Sequence, residues 1–257
     1  MLQPKRPIGL ANANHRMLRK ISCTVVLLLA GVALAPQGVA LAQPASNTAT
    51  FDLAQHPTNH ADSLWVVVNK KRPLIPLKYA PVTSKPKFAL PSTNNPYGRQ
   101  LAKPAALAIV ILANAMRAEG AGDLVLNSGY RSFGEQTYVH NRQVQRFGLE
   151  AGEALAARPG YSEHQIGLAA DVSALGQGCV IQFCFGGTVG GKWLRENSWR
   201  FGFIVRYPKG KTPITGYDYE PWHLRYVGTA LSRQMRKDGV TVLETFFGLP
   251  AAPAYRH

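Results

Sequence analysis

Apolar and polar positions first fall into a clear order at Leu64-Trp65-Val66-Val67-Val68, a largely β-branched run that reads as a buried strand. Residues 69 to 103 carry many prolines and no sustained apolar period, which predicts a long ordered loop wrapping the domain. A helix is expected from Pro104 to about Glu119, with proline in its first turn and Gly120 past its end. Leu107, Ile109, Val110, Ile111, Leu112 and Met116 cover most of its faces, so it is expected to be the central buried helix. Leu124 to Asn127 reads as a strand. Ser132 with Glu135 then forms a capping box, opening a helix that Gly148 ends. From Gly167 to Ser173 the chain alternates: Leu168, Ala170 and Val172 point one way, Ala169, Asp171 and Ser173 the other. Phe203 to Tyr207 and Tyr217 to His223 read as further strands, and Val227 to Asp238 as a basic amphipathic helix closed by Gly239. Strands and helices mix without a regular β-α-β rhythm, which favours an α+β domain with a small central antiparallel sheet flanked by helices.

The ends of the chain break this pattern. Basic residues lead into an apolar stretch, Cys23 to Ala35, and then into small residues ending Ala40-Leu41-Ala42. That is the layout of a secretory signal, so residues 1–42 are expected to be removed on export, to the periplasm, cell wall or exterior. The other reading is a permanent membrane anchor, since the run is only somewhat short of a spanning helix. Cys23 precedes the apolar run and is badly placed for a lipoprotein anchor. Residues 43–62, rich in Ala, Ser, Thr, Asn and Pro, read as a linker; 63–248 form the expected domain and 249–257 a C-terminal tail.

Charge narrows the partners. The 257-residue chain carries a formal net charge of +15, and Lys5, Arg6, Arg16, Arg19 and Lys20 contribute five of those charges ahead of the apolar run. The remainder still favours an anionic partner such as nucleic acid, anionic lipid or an anionic cell-wall polymer. Export, with no strand interleaving aromatic and basic residues, argues against nucleic acid. Membrane contact is expected only if the N-terminus stays uncleaved. Two cysteines remain after the signal, Cys179 and Cys184, in one short glycine-flanked loop. In an oxidising compartment they most simply form a disulfide, and without a nearby histidine they make poor metal ligands.

The informative segment is Tyr161 to Asp171, where His164 is followed seven positions later by Asp171 on the polar face of a strand. Zinc accepts both ligand types, and a catalytic site takes three protein ligands plus an open position. Of the seven histidines, His15 lies in the signal, His56 and His60 in the linker, and His257 at the terminus. His140 falls mid-helix among Gln, Asn and Arg and reads as surface. His223 lies in Glu220-Pro221-Trp222-His223, beside a carboxylate able to act as a base. Two bland readings stand beside these: Asp171 as a strand-end turn residue, and Glu220 as a surface carboxylate paired with Arg225 or another nearby base. Positions three apart on an ideal strand face opposite sides, so Glu220 and His223 meet only if the chain bulges at Pro221-Trp222.

Ser128-Gly129-Tyr130-Arg131-Ser132 with Gln136, then Ser162-Glu163-His164 through Asp171, then Glu220-Pro221-Trp222-His223, resembles the VanY-type D-alanyl-D-alanine carboxypeptidases. These belong to a wider group of zinc peptidases that includes D-alanyl-D-alanine dipeptidases, some endolysins and the Hedgehog signalling domain. The likeness covers roughly Leu64 to Asp238. It implies zinc on His164, Asp171 and His223, Glu220 as general base, and Arg131 binding the substrate's carbonyl oxygen or terminal carboxylate, helped by Gln136 and Ser162. The implied reaction removes a C-terminal D-alanine from peptidoglycan stem peptides. The alternatives are an L,D-carboxypeptidase acting on tetrapeptide stems and a noncatalytic wall-binding module with structural zinc.

Overall fold

The computed structural model describes residues 56–255, so the expected signal and most of the linker lie outside it. In chain order the elements are β1 (Thr83–Ser84), α1 (Pro91–Asn94), β2 (Leu101–Ala102), α2 (Lys103–Ala118), β3 (Leu124–Ser128), α3 (Phe133–Phe147), α4 (Leu149–Leu155), β4 (Ala169–Ala174) and α5 (Val189–Asn197). Then come β5 (Phe203–Tyr207), α6 (Thr212–Thr215), β6 (Glu220–Tyr226), α7 (Thr229–Lys237) and α8 (Leu243–Phe246), with single 3-10 turns at Glu163–Ile166, Phe183–Gly187 and Ser198–Phe201. Four strands make one antiparallel sheet in the order β3-β4-β6-β5, and β1 pairs with β2 apart from it. This is the expected α+β arrangement. No helix among the described residues is long and apolar enough to cross a membrane.

Helix α2 starts where its proline costs no hydrogen bond, at the first turn. Ala105, Ile109, Leu112 and Met116 recur at helical spacing and are fully buried, whereas Leu107 and Ile111 are exposed at 63% and 60%. The expectation of a central helix buried on most of its faces is therefore corrected: one stripe joins the core. That stripe meets Leu124 and Leu126 of β3, Ala170 and Val172 of β4, Phe203 of β5 and Leu224 of β6 in one cluster. Each of the larger side chains (Val, Leu, Ile, Phe and Met) contributes roughly 1.5–3 kcal/mol by leaving water.

The period-two alternation of strands then sends the chemistry to the opposite face. β4 and β6 pair Ala170 with Leu224 on the core side and Asp171 with His223 on the other. Two irregularities aim the neighbouring strands. Register moves from Leu126↔Val172 to Ser128↔Asp171 between β3 and β4, leaving Asn127 as an extra residue. Between β5 and β6 the step from Val205 to Tyr207 faces the longer step from Leu224 to Glu220, so β6 bulges around Pro221-Trp222. The bend that Glu220 and His223 require is present.

Several boundaries differ from expectation. Leu64 to Val68 is buried but is no strand. Its backbone groups are satisfied without a ladder: the Val67 N–H donates to the Thr58 carbonyl at 2.9 Å, and the Arg225 guanidinium donates to the carbonyls of Leu64 and Val66. The last linker residues pack on the domain, with Ala61 buried and the His56 ring 4.7 Å from that of Trp65. The expected tail also belongs to the fold. Ala252 and Tyr255 are buried, and the Tyr255 hydroxyl accepts the Arg158 N–H at 2.8 Å. Gly248 and Pro250 punctuate the chain there, but the apolar residues beyond them still find a surface to cover.

Candidate metal centre

Ser162 caps the 3-10 turn that presents His164, its Oγ accepting the His164 N–H at 3.3 Å. Gly167 closes the turn at φ +69°, and a Cβ there would meet the Ala102 nitrogen at 2.8 Å, so both conformation and contact call for glycine. The ring is oriented by its Nδ1, which lies 2.7 Å from the Gly129 carbonyl oxygen. A carbonyl can only accept, so Nδ1 carries the proton and Nε2 presents a lone pair. That lone pair points at Asp171 Oδ2, 3.2 Å away.

Strand β6 brings His223 to the other side of the same carboxylate, with Nδ1 3.2 Å from Asp171 Oδ1 and 3.5 Å from Glu220 Oε2. The two imidazoles stand perpendicular with centroids 5.0 Å apart. One ligand atom from each of His164, Asp171 and His223 lies within 4.8 Å of the others, and all three residues are buried. Among the described residues, His164 Nε2 and Asp171 Oδ1 meet no well-formed hydrogen bond, only the contacts at 3.2 Å within the trio itself. Buried polar atoms that converge this closely without well-formed hydrogen bonds are costly, and a divalent cation among them would offset that cost. Two nitrogens and one carboxylate oxygen, with one side open to a cleft, are the donor set of a catalytic zinc site.

The electrostatics follow from burial. Burial lowers His164 to about 4, with Arg131 adding to the effect against the pull of Asp171. Burial would also lower His223, but the Asp171 and Glu163 carboxylates outweigh it and raise the ring to about 9. Desolvation pushes Glu220 up to about 8, partly offset by His223. Asp171 sits well below its usual range because the two imidazoles overcome its desolvation. A bound cation would draw Glu220 down toward neutrality and displace protons from the ligands.

The centre lies at the base of a cleft of about 1110 Å³ whose lining includes Arg131, Ser162, Tyr207, Glu220 and Trp222. The Arg131 backbone N–H donates to the His164 carbonyl at 3.2 Å, and its Nε is enclosed without a partner among the described residues. Gln136 is buried beside this wall: its Nε2 donates to the Ala157 carbonyl at 2.7 Å, and its Oε1 has no partner among the described residues. Cys179 and Cys184 are disulfide-bonded, and their loop forms another wall, on which Phe183 stacks over Trp222 at 6.0 Å. His140, expected at the surface, is instead half-buried between α3 and α4, with Nε2 3.6 Å from Glu153 Oε1. Nor does Arg225 pair with Glu220. Its Nη1 donates to Glu163 at 2.9 Å.

Glu163 is the residue that sequence reasoning passed over. Its side chain is wholly buried, with Oε1 accepting from Arg206 Nε at 2.8 Å and Arg225 Nη1 at 2.9 Å. Its Oε2 lies 3.3 Å from His223 Nε2. Glu244 of α8 takes the other edge of the Arg206 guanidinium with two bonds, at 2.9 and 2.7 Å. The only sequence signal was a carboxylate wedged between two site residues, Ser162 and His164. Burial alone would raise both carboxyls, but the arginines hold Glu163 and Glu244 below the usual range. A depressed folded-state pKa contributes stability above the unfolded value, about 4.3, that is lost as pH falls through and below it. The melting temperature should therefore stay nearly level from pH 7 to 5 and drop steeply below about 4.3. Circular-dichroism melts that stay level to pH 3.5 would contradict this account of the network.

A family model described as VanY, D-alanyl-D-alanine carboxypeptidase, matches residues 98–229. The putative carboxypeptidase YodJ of Bacillus subtilis (strain 168) is 41% identical over 148 residues, spanning 58% of this chain and 54% of that protein. A D-alanyl-D-alanine carboxypeptidase of Enterococcus faecium is 40% identical over 126 residues, or 49% of this chain and 37% of that one. The chain thus spans about half the length, or less, of these curated relatives. Among solved structures, the LdcB LD-carboxypeptidase superposes with a TM-score of 0.65 and 36% identity, over 73% of this chain and 87% of that one. A vancomycin-resistance D,D-pentapeptidase VanY in complex with Zn(II) gives 0.60 and 33%, over 72% and 99%.

Proposed function

We propose that this chain, which belongs to the VanY family of D-alanyl-D-alanine carboxypeptidases, is a zinc-dependent carboxypeptidase that removes a C-terminal D-alanine from peptidoglycan stem peptides. The observation that carries the reading is the convergence of His164 Nε2, Asp171 and His223 Nδ1 at the base of the cleft, with Glu220 beside them. His164, Asp171 and His223 would hold the metal. When bound, zinc supplies Lewis acidity and lowers the pKa of a water in its reach from about 15.7 to about 7.

The chain's own groups supply the rest. Glu220 takes the proton that the attacking water loses and returns it to the leaving amine, so that water and peptide become a shortened acid and free D-alanine. Its burial keeps that carboxylate away from bulk solvent, so the proton it accepts is held for the leaving amine. Arg131 presents a planar fork to the substrate's terminal carboxylate or to the developing oxyanion. Ser162 and Tyr207 line the same cleft, and the Tyr207 ring lies 4.8 Å from that of His223. Arg131→Lys keeps the charge but loses the fork, so kcat/KM should fall about ten- to one-hundred-fold, the worth of a charged hydrogen bond. Steady-state assays on a D-alanine-terminated peptide check this, and an unchanged value would move Arg131 out of the site.

We also place the protein outside the cytoplasmic membrane. The Cys179–Cys184 disulfide supports this, as does the basic, apolar and small-residue order of residues 1–42. Its net positive charge suits anionic wall polymers as a second partner.

The test is mass spectrometry of defined pentapeptide and tetrapeptide stems incubated with the protein, with chelator, and with zinc restored. Loss of one D-alanine from the pentapeptide that stops with chelator and returns with zinc is the expected result. Loss from the tetrapeptide alone would assign the L,D bond instead, as for the LdcB LD-carboxypeptidase. No metal-dependent change in either peptide, from folded zinc-loaded protein, would leave a noncatalytic binding module.

A further inference from the structure

The arrangement behind His223 goes beyond the three ligands and the base. A histidine that binds metal through one nitrogen can rotate half a turn about its Cβ–Cγ bond at little steric cost, exchanging Nδ1 for a carbon. Something must forbid that exchange. His223 shows Nδ1 to Asp171 and Glu220, while Nε2 faces Glu163 Oε2 at 3.3 Å. Glu163 cannot turn away, because its other oxygen is held by Arg206 and Arg225 together. Arg206 is gripped in turn by both oxygens of Glu244, whose Oε1 also accepts from Asn69 Nδ2 at 3.0 Å. Arg225 is anchored by the carbonyls of Leu64 and Val66.

Two arginines and two glutamates balance in charge, and the side chains of Glu163, Arg206, Arg225 and Glu244 are at most marginally exposed. Stability is a poor reason to bury such a cluster, since well-packed apolar residues of the same volume often do as well or better. What apolar residues could not supply is an acceptor aimed at one ring nitrogen. We propose that Glu163 is a positioning residue for the metal, and that Arg206 and Glu244 form a buried relay tying metal affinity to α8 near the end of the domain. The proposal rests on the zinc reading given above.

The first measurement is the zinc dissociation constant by chelator competition for the full chain, Glu163→Gln and Glu244→Gln, with melting temperatures taken in excess chelator. Glu163→Gln should weaken zinc about 10- to 100-fold, the usual cost of losing an outer partner of a ligating histidine. Glu244→Gln should weaken it by a smaller factor, and Glu163→Asp should restore part of the loss. A lower melting temperature with unchanged zinc affinity would mean that the cluster only holds the fold, and would overturn the proposal. If no Glu163 variant folds, nitrogen-15 NMR of the wild-type chain decides. The His223 Nε2 should carry an exchange-protected proton both with and without zinc, and an unprotonated Nε2 in the zinc form would overturn the relay. A wild-type chain that binds no zinc at all would overturn the metal reading, and the relay with it.

Discussion

Glu220→Ala should lower kcat on a D-alanine-terminated peptide by about 10²- to 10⁴-fold, the usual contribution of a positioned acid–base group, while zinc stays bound. The two halves of this result have separate structural causes. Glu220 sits 3.5 Å from His223 Nδ1, close enough to serve the chemistry, but the ligand set closes without it. His223 keeps Asp171 on one side and Glu163 on the other when Glu220 is gone. Stability should not suffer. Burial raises the Glu220 pKa to about 8, above its unfolded value, so at pH 7 the fold bears the cost of a poorly solvated group. In excess chelator the alanine variant should melt at or above the wild-type temperature, a gain of the kind expected when an active-site group is removed. Full turnover in this variant would remove Glu220 from the mechanism. Loss of zinc would make it a ligand instead.

His164→Ala should give the opposite pattern, losing metal and activity together. The ring is buried, its Nδ1–H is committed to the Gly129 carbonyl, and its Nε2 faces the Asp171 carboxylate at 3.2 Å. Dividing the free energy of a protein-held zinc among its ligands suggests a loss of about 100- to 1000-fold or more in affinity. Turnover should fall to the uncatalysed baseline at ordinary zinc concentrations. The variant's melting temperature should also cease to respond to added zinc, because a ligand that binds only the folded state stabilises it in proportion to its affinity. Metal analysis and melts with and without zinc separate these outcomes. Wild-type affinity in His164→Ala would sink the ligand assignment.

Much of this site could be read from residue order, for identifiable reasons. His164 and Asp171 lie close in sequence, one at the end of a loop and the other on an alternating strand, so local pattern was enough to expose the pair. The capping box at Ser132 and Glu135 is likewise local, and it forms as expected. The bulge at Pro221-Trp222 was required by chemistry before any geometry was known. Other features depend on distance along the chain. Arg206 and Arg225 reach Glu163 from strands 43 and 62 residues away, and nothing in their own neighbourhoods marks them as buried. The burial of Leu64 to Val68 was legible from its composition, but its lack of a strand partner was not. Whether an apolar run pairs depends on which backbone groups approach it, and here they come from Thr58, Arg72 and Arg225. Gln136 is buried where residue order alone could not place it: its Nε2 supports the Ala157 backbone, and its Oε1 has no partner among the described residues.

The direct pairing of Asp171 with His223 across β4 and β6 has a consequence for how the chain reaches its native state. A slip of one residue between these strands would carry one ligand to the apolar side of the sheet and part the trio. Zinc therefore binds only chains whose central strands are correctly aligned, and it proofreads the sheet as it loads. At zinc a thousandfold above the dissociation constant, the aligned state gains about 4 kcal/mol that no misaligned competitor shares.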